Sequence, residues 1–320
     1  MEELWVEKYR PKNLNEVVGQ DEIVARLKAY VTERNLPHMI FAGPAGVGKT
    51  TCAIAMAREL YGDQYRINFL ELNASDARGI DVVRDDIKEY ARTSSLTNAE
   101  FKIIFLDEAD NLTSDAQSAL RRTMERYSQT CRFILSANYP SKIIEPIQSR
   151  CGIFRFKIIG KEIIKNRIKE IAKLEKLKIT ESALEVIEHL SEGDLRRAII
   201  ILQTAAVFSK DIDEPTIYNV TGSASKKDIE NLITFALKGE FNKARKILDN
   251  MLINSGVTAP DLIRSMHRTV LDLTIEDKII VKIIEKLGEI DFRINEGATE
   301  KIQLDALLAY LFLIGSETTL

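Results

Sequence analysis

The stretch GPAGVGKTT, residues 43 to 51, constrains this chain more than any other. It matches GxxxxGK[ST] and lies between a strand-like run, HMIFAG, and a helical pattern, TCAIAMARELYG. In such a loop, glycines let backbone amides face phosphate, Lys49 reaches the β- and γ-phosphates, and the Thr50 hydroxyl binds Mg²⁺. A glycine-rich turn with a chance lysine would not need the strand and the helix around it. The predicted ATP-contacting residues here are Gly43, Pro44, Ala45, Gly46, Val47, Gly48, Lys49, Thr50 and Thr51.

Two acids and an amide follow apolar runs further along the chain. KIIFLDEAD ends a predicted strand at Asp107, which would join Thr50 at Mg²⁺, and Glu108 would activate the attacking water. Both acids could instead cap the following turn. Asn138 ends RFILSAN and could position water or sense the γ-phosphate, although an Asn also commonly begins a turn. Together the motifs indicate nucleotide hydrolysis.

Hydrophobic patterning predicts a P-loop α/β domain followed by helices. The runs HMIFAG, INFLELNAS, KIIFLDEAD, RFILSAN and GIFRFK are continuously apolar, as expected for parallel strands covered on both faces. The strand order cannot be read from them. After Lys157 the spacing is helical, with Thr180 and Asp194 as predicted helix caps and Gly193 as a stop.

At 320 residues the chain exceeds one usual core, so we expect several domains. We place a nucleotide-binding domain at 1–157, a small helical domain at 158–222 and an all-helical domain at 223–320. The polar stretch 221–228 is interpreted as a linker. The C-terminal LDALLAYLFLIG would be buried either in its own bundle or against another subunit.

Composition limits the classes of partner. The formal net charge of −3 argues against a generally basic nucleic-acid coat, although it allows a local basic track. Three scattered cysteines suggest neither a disulfide framework nor a zinc site, and no apolar run is long enough to span a bilayer. These features predict a soluble cytoplasmic protein that does not bind a membrane.

Motifs along essentially the whole chain carry a family resemblance. WVEKYRPK, LNASDARGID, FLDEADNLT, SANYPSKI, QSRCGIF and GDLRRAI occur in this order. The chain thereby resembles the AAA+ ATPases, and most closely the small subunits of archaeal clamp loaders. The phosphate loop and the DEAD box are shared by many ATPases, whereas EKYRPK, NASD and SRC are more specific. The resemblance implies a AAA+ domain, a helical lid and a C-terminal helical collar for oligomerisation.

The resemblance also implies roles for individual residues. Asn138 corresponds to sensor 1 and Arg196 to sensor 2, which would reach the γ-phosphate from the lid. An arginine near a helix start is disfavoured by the helix dipole, which suggests an anionic partner for Arg196. Gln20 would lie close to the base. The residues implied for the adenine pocket are Tyr9, Arg10, Pro11 and Val18.

Arg150, in the SRC stretch, is implied to be a finger inserted into the ATP site of a neighbouring subunit. Such a finger typically contributes about a thousandfold or more to the rate. An isolated arginine here would more simply form a salt bridge with an acid such as Glu145. If the resemblance holds, catalysis requires assembly.

A basic helical face is the candidate DNA track. Arg84, Lys88 and Arg92 recur at a spacing of four, with Arg78 just before them, so they could follow phosphates without reading bases. Intervening acids could instead make exposed ion pairs with them. The resemblance favours DNA contact by Arg78, Arg84 and Lys88. A second basic cluster would serve DNA or a subunit interface; it comprises Arg121, Arg122 and Arg126.

The function implied by the resemblance is ATP-dependent loading of a ring-shaped sliding clamp onto primer-template DNA. The implied partners are a large subunit, other copies of the small subunit, the clamp and the DNA. Other classes remain: a self-contained P-loop phosphotransferase, a scaffold that binds ATP without hydrolysis, or another DNA-acting AAA+ machine such as a branch-migration motor.

Overall fold

The computed structural model describes residues 4–75, 87–93, 99–253 and 256–317. The chain divides into two compact units, Met1–Asp211 and Ile212–Leu320. The first unit contains the phosphate loop and the central sheet, and the second is helical.

All five predicted strands form one parallel sheet in the first unit. Its order is β2-β3-β4-β1-β5. Asn73 pairs with Asp107, and Ala42 pairs with Ala137, so these strands end at the same edge. The strands are β1 (His38–Ala42), β2 (Phe69–Asn73), β3 (Lys102–Asp107), β4 (Cys131–Ala137) and β5 (Cys151–Arg155).

Alternate side chains of the central strands enter two separate cores. Phe41 and Phe105 pack with the helices before and after β1, whereas Ile40 and Leu106 pack on the opposite face. Because both faces are covered, the strand sequences are continuously apolar, as predicted.

Helices surround this sheet and then form the lid. They are α1 (Trp5–Lys8), α2 (Asp21–Glu33), α3 (Lys49–Tyr61), α4 (Tyr65–Asn68), α5 (Lys88–Arg92), α6 (Ser114–Arg126), α7 (Glu145–Gln148), α8 (Lys161–Leu174), α9 (Glu181–Ser191) and α10 (Leu195–Phe208). Thr180 caps α9 and Asp194 caps α10 through their side chains, which confirms both predicted caps. The short strands β6 (Lys178–Ile179) and β7 (Asp211–Ile212) pair with each other.

The second unit is a helical bundle with its own core. The predicted linker is too long, because the Ser225 hydroxyl accepts a hydrogen bond from the Asp228 amide at 3.1 Å and the next helix begins at Lys226. In the C-terminal helix, Leu307 and Leu311 are buried within the unit, whereas Leu313 is 58% exposed. The helices are α11 (Glu214–Thr221), α12 (Lys226–Leu237), α13 (Phe241–Ile253), α14 (Ala259–Asp272), α15 (Asp277–Asn295) and α16 (Glu300–Glu317).

Across the described ranges, no helix has both the length and the apolar character needed to cross a bilayer.

Candidate nucleotide-binding site

The phosphate loop connects β1 to α3 at the carboxyl edge of the sheet. Gly46 and Gly48 have φ values of 68° and 99°, a conformation that favours glycine. Helix α3 begins at Lys49, so its first backbone amides are available to an anion at the loop. The local sequence therefore builds a phosphate-binding geometry.

Lys49 is buried beneath this loop, with only 8% of its surface exposed. Its Nζ donates to the carbonyl oxygens of Gly43 and Pro44, each at 2.7 Å, and to Asn138 Oδ1 at 2.8 Å. Burial lowers the pKa of the Lys49 ammonium, and the negative charge of Asp107 opposes that shift. A desolvated cation held this way favours an anionic ligand.

The candidate metal ligands lie side by side. Thr50 Oγ1 donates to Asp107 Oδ2 at 2.8 Å, which joins the start of α3 to the end of β3. Both oxygens are hard donors of the kind Mg²⁺ prefers. No group of three or more His, Cys, Asp or Glu side chains in the described ranges could hold a metal ion. The pair therefore fits a Mg²⁺ ion that takes its other ligands from phosphate and water.

Glu108 follows Asp107 in a left-handed backbone conformation, with a φ of 53°. Its backbone amide donates to Asp107 Oδ1 at 3.0 Å, and Asn111 Nδ2 donates to Glu108 Oε2 at 3.2 Å. A non-glycine residue in this conformation is uncommon and is found more often at functional sites. The turn places the Glu108 carboxylate on the wall of the same cavity as Lys49.

Asp110 supports the end of β4 and was not singled out from the sequence. Its Oδ2 accepts the Tyr139 amide at 2.9 Å, next to Asn138. Its Oδ1 is buried without a hydrogen-bond partner among the described residues. Asp110 thus fixes the turn that carries Asn138, and the fourth letter of the DEAD box was its only sequence signal.

The lid reaches the phosphate loop through the start of α10. The Leu195 amide donates to the Gly46 carbonyl at 3.3 Å, and Asp194 Oδ1 accepts the Arg197 amide at 2.9 Å. A Cβ added at Gly46 would lie 1.7 Å from Asp194 Oδ1. Arg196, in the same helical turn, lines the cavity.

One cavity brings together most of the predicted site residues. They are Tyr9, Arg10, Pro11, Val18, Ala45, Gly46, Val47, Gly48, Lys49, Thr50, Thr51, Asp107, Glu108, Asn138 and Arg196. Gly43 and Pro44 line an adjacent hollow and accept the Lys49 hydrogen bonds. Gln20 is buried nearby, and its Nε2 donates to the Val47 carbonyl at 3.3 Å and the Lys157 carbonyl at 2.7 Å.

Sequence reasoning missed several lining residues. Arg167 of α8 enters the cavity, although its helix has the ordinary amphipathic pattern of a lid helix. No local signal distinguishes it from other surface arginines. The apolar residues that were missed are Val6, Val17, Ile159, Leu195 and Ile199.

Arg150 lies outside this cavity. Its NH2 lies 2.7 Å from Glu125 Oε1, its NH1 donates to the Pro146 carbonyl at 2.7 Å, and its side chain is 40% exposed. Arg121 NH1 bonds the same Glu125 oxygen at 2.9 Å. The observed ion-pair partner is therefore Glu125 of α6, whereas the sequence alone suggested an acid such as Glu145.

The candidate DNA track is only partly described. Lys88 and Arg92 are exposed and lie one turn apart on α5, in agreement with a shared helical face. Arg78 and Arg84 lie outside the described residues. In the second basic cluster, Arg122 and Arg126 of α6 are exposed.

Three family models match successive parts of the chain. The ATPase family associated with various cellular activities (AAA) matches residues 39–158. The RCF1/5-like AAA+ ATPase lid domain matches 166–207, and the replication factor C C-terminal domain matches 224–310. The matches agree with a phosphate loop followed by a lid and a C-terminal helical region.

Curated relatives cover nearly the whole chain. The replication factor C small subunit of Archaeoglobus fulgidus is 56% identical over 97% of this chain and 97% of its own length. The chain belongs to the replication factor C small-subunit family. The Methanocella arvoryzae member is 52% identical over 98% of both chains, and the Staphylothermus marinus member is 54% identical over 98% of this chain and 96% of its own. Membership confirms the clamp-loader resemblance and the AAA+ ATPase class.

Solved structures show the same fold at greater distance. The Thermotoga maritima RuvB Holliday junction branch migration motor has a TM-score of 0.56 over 76% of this chain and 87% of its own. At 20% identity this likeness concerns the fold alone.

Proposed function

We propose that this chain is an ATP-hydrolysing small subunit of a clamp loader, which opens a ring-shaped sliding clamp and places it on primer-template DNA. Family membership supplies the class of machine. The observation that carries the proposal is the cavity that joins Lys49, Glu108, Asn138 and Arg196. Its working partners would be a clamp-loader large subunit and further copies of this chain, in the cytosol and associated with the nucleoid during replication.

Hydrolysis would use the residues of this cavity in distinct roles. Thr50 and Asp107 would hold Mg²⁺, which supplies charge neutralisation at the phosphates when bound. Lys49 and Arg196 would bind the phosphates, and Asn138 would position the water that Glu108 deprotonates. Tyr9, Arg10, Pro11 and Val18 would surround the adenine.

Arg150 would complete the site of a neighbouring subunit. It does not line its own chain's cavity, and its side chain is 40% exposed. A guanidinium brought from a second chain would stabilise charge on the transferring phosphoryl group, typically by about 10³ in rate or more. ATP binding would assemble the state that grips DNA, and hydrolysis would release the loaded clamp.

The remaining assignments rest on the resemblance and on exposed charge. Lys88, with Arg78 and Arg84, would contact DNA phosphates. Reduced DNA-stimulated turnover in a double Arg84→Ala, Lys88→Ala variant would support the DNA track, and unchanged stimulation would exclude it.

We propose a nucleotide-binding domain at 1–157, a lid at 158–222 and an oligomerising collar at 223–320.

The decisive test is ATP turnover in mixed assemblies with primer-template DNA, large subunit and clamp. We expect Arg150→Ala and Lys49→Ala to lose turnover separately and to recover part of it when mixed, because a Lys49→Ala subunit still supplies Arg150 to its neighbour. Arg66→Ala is the control, because Arg66 of α4 is an exposed arginine that belongs to neither the cavity nor a basic cluster, and it should retain activity. Turnover that is independent of Arg150 and of protein concentration would refute a shared site.

A further inference from the structure

Several residues that line the cavity carry no group that could bind phosphate. Val6, Val17, Ile159 and Ile199 line it with apolar surface, and Arg167 is the charged residue that the lid helix α8 contributes there. An apolar wall with few polar groups suits a flat purine base. The role of Arg167 follows from its hydrogen bond to Tyr9, which also lines the cavity.

Arg167 bonds the main chain of a residue 158 positions earlier. Its NH2 donates to the Tyr9 carbonyl at 2.9 Å, and its NH1 donates to Glu170 Oε2 at 2.7 Å. The Arg167 side chain is only 16% exposed and its bond to the Tyr9 carbonyl is partly buried, whereas Glu170 is 57% exposed and its bond to Arg167 lies at the surface. Tyr9 follows the last residue of α1, where a carbonyl lacks an intrahelical partner and is well satisfied by a cation.

The side chain of Tyr9 is also attached to the lid. Tyr9 Oη donates to Glu175 Oε1 at 2.5 Å, and Lys8 Nζ contacts the same oxygen at 2.6 Å. The hydrogen bonds from Lys8 and then from Tyr9 lower the pKa of the Glu175 carboxyl. Tyr9 is therefore held at its carbonyl by Arg167 of α8 and at its hydroxyl by Glu175, the residue that follows α8.

The segment around Tyr9 is anchored to two further helices. The Trp5 amide donates to Gln203 Oε1 of α10 at 3.0 Å. The Leu14 amide donates to Glu59 Oε1 of α3, the helix that follows the phosphate loop, at 2.7 Å. The N-terminal segment is thus bonded to the lid helix α10 before Tyr9 and to α3 of the sheet domain after it.

We propose that Arg167 is a positioning residue for the nucleobase, because it fixes the Tyr9 wall of the base pocket to the lid. This rests on the proposed function of the same site. A bound purine base would pack against a wall whose position the lid sets, so base binding and lid position are coupled. A triphosphate without a base would not use this wall.

The test compares two ligands, MgATP and magnesium tripolyphosphate, by titration calorimetry on the full chain. We expect Arg167→Ala to weaken MgATP binding about tenfold, the factor for one lost hydrogen bond to a charged group. Binding of tripolyphosphate should change less than twofold. Arg167→Lys keeps the charge and the aliphatic stem and should recover part of the ATP affinity; it also serves if the alanine variant does not fold.

Glu170→Gln is the matched control, because it alters the other Arg167 contact and leaves the bond to Tyr9. It should bind both ligands like wild type. Equal weakening of both ligands by Arg167→Ala, or no change in either, would overturn the proposal. If the wild-type chain bound neither ligand, the proposed ATPase function itself would be rejected. If the wild-type chain bound both ligands and Arg167→Ala bound them with the same affinities, only the role proposed for Arg167 would be rejected.

Discussion

The contact between the phosphate loop and the lid predicts a measurable coupling between Gly46 and Asp194. An alanine at position 46 would place its Cβ 1.7 Å from Asp194 Oδ1, and the φ of 68° already disfavours a side chain. Left-handed backbone costs alanine roughly 1–2 kcal/mol. Displacing the Asp194 cap from the Arg197 amide, 2.9 Å away, costs about 1 kcal/mol more. We therefore expect Gly46→Ala to lower the free energy of unfolding by about 2–3 kcal/mol.

A double-mutant cycle separates the two causes. Asp194→Gly should cost only a few tenths of a kcal/mol, since glycine is an acceptable helix cap. In the double variant the clash is gone, so the two effects should fall short of their sum by about 1 kcal/mol. Gly48→Ala is the control: its φ is 99°, but its added Cβ would meet no atom of the described residues within 4 Å, so it should show no coupling to Asp194→Gly.

Urea unfolding followed by tryptophan fluorescence measures this cycle. Trp5 is the only tryptophan in the chain, and its amide bonds Gln203 in the lid helix α10. The fluorescence therefore reports on the unit that contains both mutated positions. Additivity of Gly46→Ala and Asp194→Gly within about 0.3 kcal/mol would refute the contact between loop and lid.

Three further changes have defined outcomes. Gln20→Ala removes hydrogen bonds to Val47 and Lys157 and should lower the free energy of unfolding by about 2–3 kcal/mol in urea; a loss below about 0.5 kcal/mol would contradict the buried bridge. Burial lowers the pKa of His38 to about 4, so its stabilising contribution is full above pH 6.5 and is lost as pH falls towards 4. The difference between wild type and His38→Asn should therefore shift by about 3 kcal/mol between pH 7 and pH 4, and a flat difference would refute it. Glu108→Gln should bind ATP within a few-fold of wild type while steady-state turnover falls about 10² or more, and a loss under tenfold would remove Glu108 as the base.

The sheet shows how far hydrophobic patterning reaches. The three central strands were predictable because they are covered on both faces, as the two cores around Phe41 and Ile40 show. The edge strands β2 and β5 are only partly buried and were predictable from their short apolar runs. The order of the strands in the sheet was not predictable, because an apolar run does not indicate which other strand it will pair with. The position of β4 between β3 and β1 emerges only when the strands pair.

The residues of the candidate site likewise fall into those that the sequence predicted and those that it did not. Lys49 and Thr50 were predictable from local spacing, and Asp107 and Asn138 from their positions at strand ends that share one edge of a parallel sheet. Arg167 and Asp110 were missed because their partners, the Tyr9 carbonyl and the Tyr139 amide, are backbone groups that no side-chain pattern marks.

The sequence by itself determined the elements whose causes are local: the glycine loop, the buried strands, and the Thr180 and Asp194 helix caps. Only the tertiary structure decided which distant groups meet. Asp194 caps its own helix by accepting the amide of Arg197, three residues later, which is a local preference. Its contact with Gly46, by contrast, joins residues 148 positions apart. Arg150 likewise pairs with Glu125 from another helix rather than with nearby Glu145. Local backbone preferences act along the chain, whereas these contacts depend on packing that brings remote segments together.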